Sequence, residues 1–297
     1  MQALMSNVLI LRPRVTLLAV VVSSLASVLL ASKSFAADVN PSKNTSTAVV
    51  TATPPKKIFG LDASLSYASN MYADGEYDRT SSTSLSFIPS AKITDRATLS
   101  IRTNFIKDHE GAKNFYMSNT TLRLSHKTAE INPTLTWRNR IDGIAPTNRD
   151  SQLTDRLQGA VGVGTSLTYA NKNTTLPFTI VGLLSAQRNF HEYDMNADGA
   201  KNNQYGITQG LSLDLSFTDS LTLSIAGNYR TAMNYDNKPK YSYDTSIDLD
   251  YGLTDNFSIS TGISNGGSAL KANGIDSNIS FTDKKTAELN VAMNFSY

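Results

Sequence analysis

The stretch AELNVAMNFSY, residues 287–297, decides the fold. Taking every second residue gives Leu289, Val291, Met293, Phe295 and Tyr297, all apolar or aromatic, while Glu288, Asn290, Ala292, Asn294 and Ser296 between them are small, polar or charged. Successive side chains of a β-strand point to opposite faces, so this period of two describes a strand with one oily side and one wet side.

The same alternation recurs from residue 59 onward in segments of about ten residues. Phe59, Leu61, Ala63, Leu65 and Tyr67 form one such set, Leu211, Leu213, Leu215 and Phe217 another, and Tyr243, Ile247, Leu249, Tyr251 and Leu253 a third. Ser and Thr fill the intervening positions, and no segment carries a period of 3.6. The connections alternate in length. Thr94-Asp95-Arg96, Thr218-Asp219-Ser220 and Thr254-Asp255-Asn256 read as tight turns in which the Asp bonds its own backbone. Two further short turns are expected at 126–130 and 171–174, and longer polar connectors at 71–80, 108–116, 142–156, 190–203, 234–241 and 265–285. The pattern predicts an all-β fold of about twelve antiparallel strands running up and down.

An open sheet of that size would leave two unpaired edges, which closure into a barrel removes. A soluble barrel keeps its apolar face inside, but a cylinder of twelve strands is wider than the roughly eight-stranded size that side chains can fill. The oily face is therefore expected outside. An apolar exterior, a polar interior and a backbone paired all the way round are the requirements for spanning a bilayer with strands. Aromatic residues fall in two sets, with Phe59, Tyr169, Phe217, Tyr251, Phe257 and Tyr297 beside short turns, and Tyr67, Phe105, Tyr205, Tyr229, Tyr241 and Tyr243 beside long connectors. Two interfacial girdles are expected.

The run Leu289, Val291, Met293, Phe295, Tyr297 resembles the C-terminal signature of bacterial outer-membrane β-barrel proteins, with Tyr in place of the commoner Phe at the last position. That resemblance implies residence in the outer membrane, contact with its lipid and recognition by the barrel assembly machinery. Residues 1–36 agree with export: Arg12 and Arg14 precede an apolar run from Val15 to Ala31, and Ser34-Phe35-Ala36 offers a cleavage site. Residues 37–57, rich in Thr, Ser, Pro and Lys, read as a flexible periplasmic leader, leaving 58–297 as the barrel. The chain has no cysteine and so no disulfide framework. Its formal charge is +2, and loss of Arg12, Arg14 and Lys33 with the signal takes three positive charges from it, leaving −1. A nearly neutral chain excludes a nucleic-acid partner on electrostatic grounds.

If the oily set faces lipid, the other set lines the lumen. There Arg102, Arg123, Arg138 and Arg140 are expected on one wall, with Lys92 beside them, and Asp214, Asp244, Asp248 and Asp250 on the opposite wall, with Arg230 as an exception. Small residues such as Gly162, Gly164, Ser166, Ser212, Ser260 and Gly262 leave room for water. The expected function is a passive, porin-like channel for small hydrophilic solutes. A closed barrel acting through its loops as adhesin, receptor or structural envelope protein is the alternative, and an envelope hydrolase a third reading. No catalytic set is assigned: the three histidines are followed by Glu110-Gly111, Lys127-Thr128 and Glu192-Tyr193, and His191 with Glu192 and Asp194 reads more simply as loop surface. No cofactor is expected apart from a candidate calcium ion on Asp194, Asn196 and Asp198, whose spacing opens a calcium loop. The closing position of that loop, where Glu is required, holds Tyr205, and Asp, Asn and Gly are also common in ordinary exposed loops.

Overall fold

The structure, a computed structural model, describes residues 58–297 except 73–75, 112, 172–173, 272, 281–282 and 284–285. The expected signal segment and leader lie outside the described residues. Among the described residues thirteen strands make one antiparallel sheet: β1 (Phe59–Asn70), β2 (Ser81–Lys92), β3 (Ala97–Asp108), β4 (Phe115–Met117), β5 (Thr120–Asn132), β6 (Leu135–Ala145), β7 (Leu157–Asn171), β8 (Phe178–His191), β9 (Asn203–Ser216), β10 (Leu221–Asn234), β11 (Pro239–Thr254), β12 (Phe257–Ser268) and β13 (Glu288–Ser296). Both β4 and β5 pair with β3, at its two ends, so together they form one stave broken at 118–119, and the barrel has twelve staves.

The opening stretch closes it. In β13, Met293 pairs with Leu65 of β1 on one side and with Ile259 of β12 on the other. Leu61 and Tyr297 exchange both backbone bonds, at 3.0 and 2.8 Å, and complete the cylinder. Every strand except the short β4, which pairs with β3 alone, thereby has a partner on both sides, as a bilayer demands of the spanning staves.

Registers fix which face is which. Apolar rows run unbroken from stave to stave: Leu213 sits between Ile180 and Ile225, and Ile225 between Leu213 and Ile247. The outward residues are exposed to whatever surrounds the barrel, Leu211 by 63 % and Trp137 by 41 %, and the described residues include no large, fully buried side chain. There is no core of the soluble kind. The apolar face of this sheet is its outer surface.

The short connections 93–96, 217–220 and 255–256 fall where expected, but their chemistry differs. The capping group is the threonine hydroxyl: Thr94 Oγ1 accepts from the N–H of Arg96 and Ala97 (3.2 and 2.9 Å), and Thr218 Oγ1 from Ser220 and Leu221 (3.2 and 3.0 Å). The turn expected at 126–130 is instead strand, and β5 runs on to a turn at 133–134. Pro133 cannot donate to a ladder, and Asn132 Oδ1 accepts from Thr134 N–H and Oγ1–H at 2.9 and 2.7 Å, which fixes the reversal there. His126 consequently lies within β5 opposite Ala97 and Asn139. One girdle residue also departs from expectation: Tyr243 is only 6 % exposed, and Ser280 N–H donates to its hydroxyl at 3.1 Å.

Candidate functional site

The lumen is lined by the alternate residues of the twelve staves. All eight expected lining residues share that face: Arg123 pairs laterally with Ser100 and Asp142, Arg140 with Ser125 and Gly164, and Asp248 with Ser224 and Gly262. Arg102 occupies the inward position two residues beyond Ser100 on β3, Arg138 the one two residues before Arg140 on β6, and Asp214, Asp244 and Asp250 pair with inward Ser224, Asn228 and Thr222. In a ring of twelve staves the β4–β5 stave lies opposite β11. The basic and acidic groups therefore occupy facing walls.

The basic wall contains a carboxylate that periodicity left in a connector. Asp142, 9 % exposed, belongs to β6 and accepts a two-point bond from Arg123, Nε at 2.7 Å and Nη2 at 2.9 Å, with Arg140 Nε 3.4 Å away. The planar guanidinium fork suits this geometry. Arg138, Arg140 and Asp142 continue one period of two. Arg102 and Arg138 have no carboxylate within ion-pair distance among the described residues.

On the acidic wall Asp214 and Asp248 flank Ser224 from its two sides, Asp250 takes a 3.4 Å bond from Ser224 Oγ, and Asp244 accepts from Asn228 Nδ2 at 2.7 Å. Asp244 and Asp250 thus have hydrogen-bond donors, and among the described residues none of the four carboxylates has a cationic partner and no ion pair joins the two walls. Glycines let the long side chains lie flat. A Cβ on Gly164 would stand 2.7 Å from Arg140 Nε, and one on Gly206 would stand 3.3 Å from the Arg230 guanidinium. Charge is thus held along the wall instead of across the lumen. A cavity of about 350 Å³ opens on the basic wall beside Arg102, Asn104, Asn119 and Arg123.

Apolar residues also face inward, among them Val181 and Leu183 of β8, since Thr179 pairs with inward Asp214 and Ser185 with inward Thr208. Sequence pattern could not separate them from the outward Ile180 and Leu184, because both faces of this strand are apolar.

At the long-connector end the loops are tied to one another. A short helix, α1 (Arg149–Leu153), is capped by Asn148 Oδ1, which accepts from Asp150 and Ser151 N–H, and Ser151 Oγ lies 3.0 Å from Asn119 Nδ2 at the edge of the cavity. Ala197 N–H donates to Thr154 O at 2.8 Å, and Lys201 meets Asp236 at 3.3 Å, so the connectors 146–156, 192–202 and 235–238 form one hydrogen-bonded group. The ring of His191 rests edge-on against Tyr235, 5.8 Å between centroids. Glu110 joins two other connectors: Ser81 donates to it from both N–H and Oγ, Arg79 lies 3.4 Å away, and these contacts hold its carboxyl below the usual range.

Of the candidate calcium ligands, Asn196 spends its side-chain oxygen on the loop itself, accepting from Asp198 N–H at 3.1 Å and Ala200 N–H at 2.8 Å. Asp194 and Asp198 stand before and after it, on a hairpin closed by a Met195–Lys201 bridge, with Gly199 at φ +83. Loop closure accounts for Asn196 and Gly199 without an ion.

No protein-family model matches the chain, and no curated protein matches it. Solved structures do. The chain is similar to an outer-membrane channel from Pseudomonas putida F1, at 14 % identity and a TM-score of 0.53, over 88 % of this chain and 100 % of that one. It is similar also to the NanC porin, at 12 % identity and a TM-score of 0.50, over 79 % and 98 %. The chain has the fold of bacterial outer-membrane β-barrel channels. At such identities the likeness speaks for architecture, and the lumen has to be read from its own residues.

Proposed function

We propose that the protein is a passive channel for small hydrophilic solutes across the bacterial outer membrane. The observation that carries this reading is a lumen with walls of opposite charge that no ion pair bridges among the described residues. Charges that plugged the barrel would have to meet, since ions withdrawn from water need partners. Charges kept apart need water between them, and across an aqueous lumen the field is screened over about 8 Å at physiological salt. The glycines facing Arg140 and Arg230 serve the same end, by laying those side chains along the wall.

The two walls nearly cancel: Asp142 offsets one of the charges of Lys92, Arg102, Arg123, Arg138 and Arg140, and Arg230 stands on the wall that carries the four aspartates. In planar bilayers the protein is expected to give discrete conductance steps with little ionic preference, and Asp248→Asn combined with Asp250→Asn is expected to move the reversal potential toward the anion side. Folded protein that inserts but never conducts would refute the channel. It would favour the second reading, a barrel acting through its surface, for which the interlocked connectors 146–156, 192–202 and 235–238 supply a ready platform.

A further inference from the structure

Two cations of the staves stand on the outward face: Lys107 of β3, whose Nζ donates to Lys113 O at 2.7 Å, and Arg188 of β8. Arg188 of β8 pairs laterally with Val161 and Tyr205, both outward and exposed, and it lies between outward Ala186 and Phe190 along its own strand. It is therefore an exposed guanidinium on the lipid-facing surface, three residues before the strand ends at His191. Its neighbours hold it in place: the guanidinium carbon is 5.3 Å from the centre of the Phe190 ring and 5.5 Å from that of Tyr205. Among the described residues no carboxylate pairs with it.

A charge on this face has to be explained by depth. Arg at the midplane of a barrel's lipid face costs about 2–4 kcal/mol, and near the interface about 0–1 kcal/mol. The long-connector end and the two aromatic rings put Arg188 at the interface. The two rings attract the cation through their faces, and a guanidinium carries a planar fork of N–H donors suited to two-point bonding with an oxyanion. Among the described residues no carboxylate pairs with Arg188, and on the outer wall of a membrane barrel the surrounding lipid can supply the oxyanion.

We propose that Arg188, with Phe190 and Tyr205, is a docking site for the phosphate of an anionic glycolipid in the leaflet that surrounds the long-connector end. The site lies on the barrel's outer wall and is independent of whether the lumen conducts. Phosphate specificity comes from the charge and the planar fork, and position from the ring pair, which holds the fork at headgroup height.

The test uses the full folded chain in detergent, titrated with a bisphosphorylated glycolipid of the lipid A type, with the same lipid stripped of phosphate, and with inorganic phosphate, while bound lipid is read by native mass spectrometry. The phosphorylated lipid is expected to bind at least on the order of tenfold more tightly than the stripped one, the factor that one charge-assisted hydrogen bond supplies. Arg188→Gln should abolish that difference while the protein stays heat-modifiable on gels, and Arg188→Lys should restore part of it. Equal retention of the phosphorylated lipid by Arg188→Gln would overturn the proposal. So would inorganic phosphate competing at concentrations equal to those of the lipid, because the ligand would then be a free ion.

Discussion

Leu211→Arg is expected to lose about 2–4 kcal/mol of folding free energy in bilayers, whereas Ser212→Arg, one residue along the same strand, is expected to fold as the parent does. The two positions have the same secondary structure, the same strand neighbours and nearly the same height; they differ in face alone. Leu211 projects outward between Gly182 and Gly227, 63 % exposed, near the middle of β9. Ser212 projects inward between Val181 and Ala226, and its wall already carries Asp214 and Asp248 nearby. A guanidinium at 211 meets hydrocarbon; at 212 it meets lumen water and carboxylates. Urea refolding into vesicles, followed by gel mobility, measures both. Equal losses at the two sites would mean that the faces have been wrongly assigned.

Gly262→Val is the second large effect. A Cβ at this inward position would stand 2.5 Å from the carbonyl oxygen of Ile247 and 2.9 Å from the Cα of Asp248, and it would also run into the Asp248 carboxylate. Two of the three obstacles are main chain in the neighbouring strand, which cannot yield without opening the β11–β12 ladder. A loss of about 3 kcal/mol is expected, the upper end of ordinary overpacking penalties. Gly182→Val is the control. Gly182 faces outward, nothing lies within 4 Å of its would-be Cβ, and a β-branched residue suits a strand, so this variant should fold at least as well as the parent. Thermal unfolding in detergent distinguishes the pair.

The architecture was legible because a barrel in lipid writes one rule on every stave. A residue touches either hydrocarbon or water, so Leu289 to Tyr297 could be read without knowing its neighbours. Where that rule weakens, the reading slipped. Val181 and Leu183 are apolar yet face inward, and nothing in their local pattern marks them so. Tyr243 obeys the outward period, yet the distant Ser280 donates to its hydroxyl, and such a tertiary contact leaves no local trace. The turn at 133–134 was marked by Asn132-Pro133 and was missed because the charged run His126 to Glu130 looked more loop-like than strand. Among the inward residues, Asp142 changes what Arg123 and Arg140 can do, and its distance of 2.7 Å from Arg123 is a fact of pairing between strands that no local pattern records. For the loop 192–202, a ligand-like spacing of Asp194, Asn196 and Asp198 and a backbone-closing Asn look the same in sequence.

Trp137 offers the most direct test of the central claim, that the apolar face of the sheet touches lipid and its polar face encloses water. It is the single tryptophan of the chain, it projects outward from β6 between Ala129 and Leu167, and its Nε1–H donates to Thr165 Oγ1 at 2.6 Å. Reconstituted in bilayers whose acyl chains carry bromine, the protein should lose most of its tryptophan emission, while iodide added to the water should leave it nearly unchanged. Emission that iodide quenches and brominated chains do not would place this face in water, and the account would be contradicted.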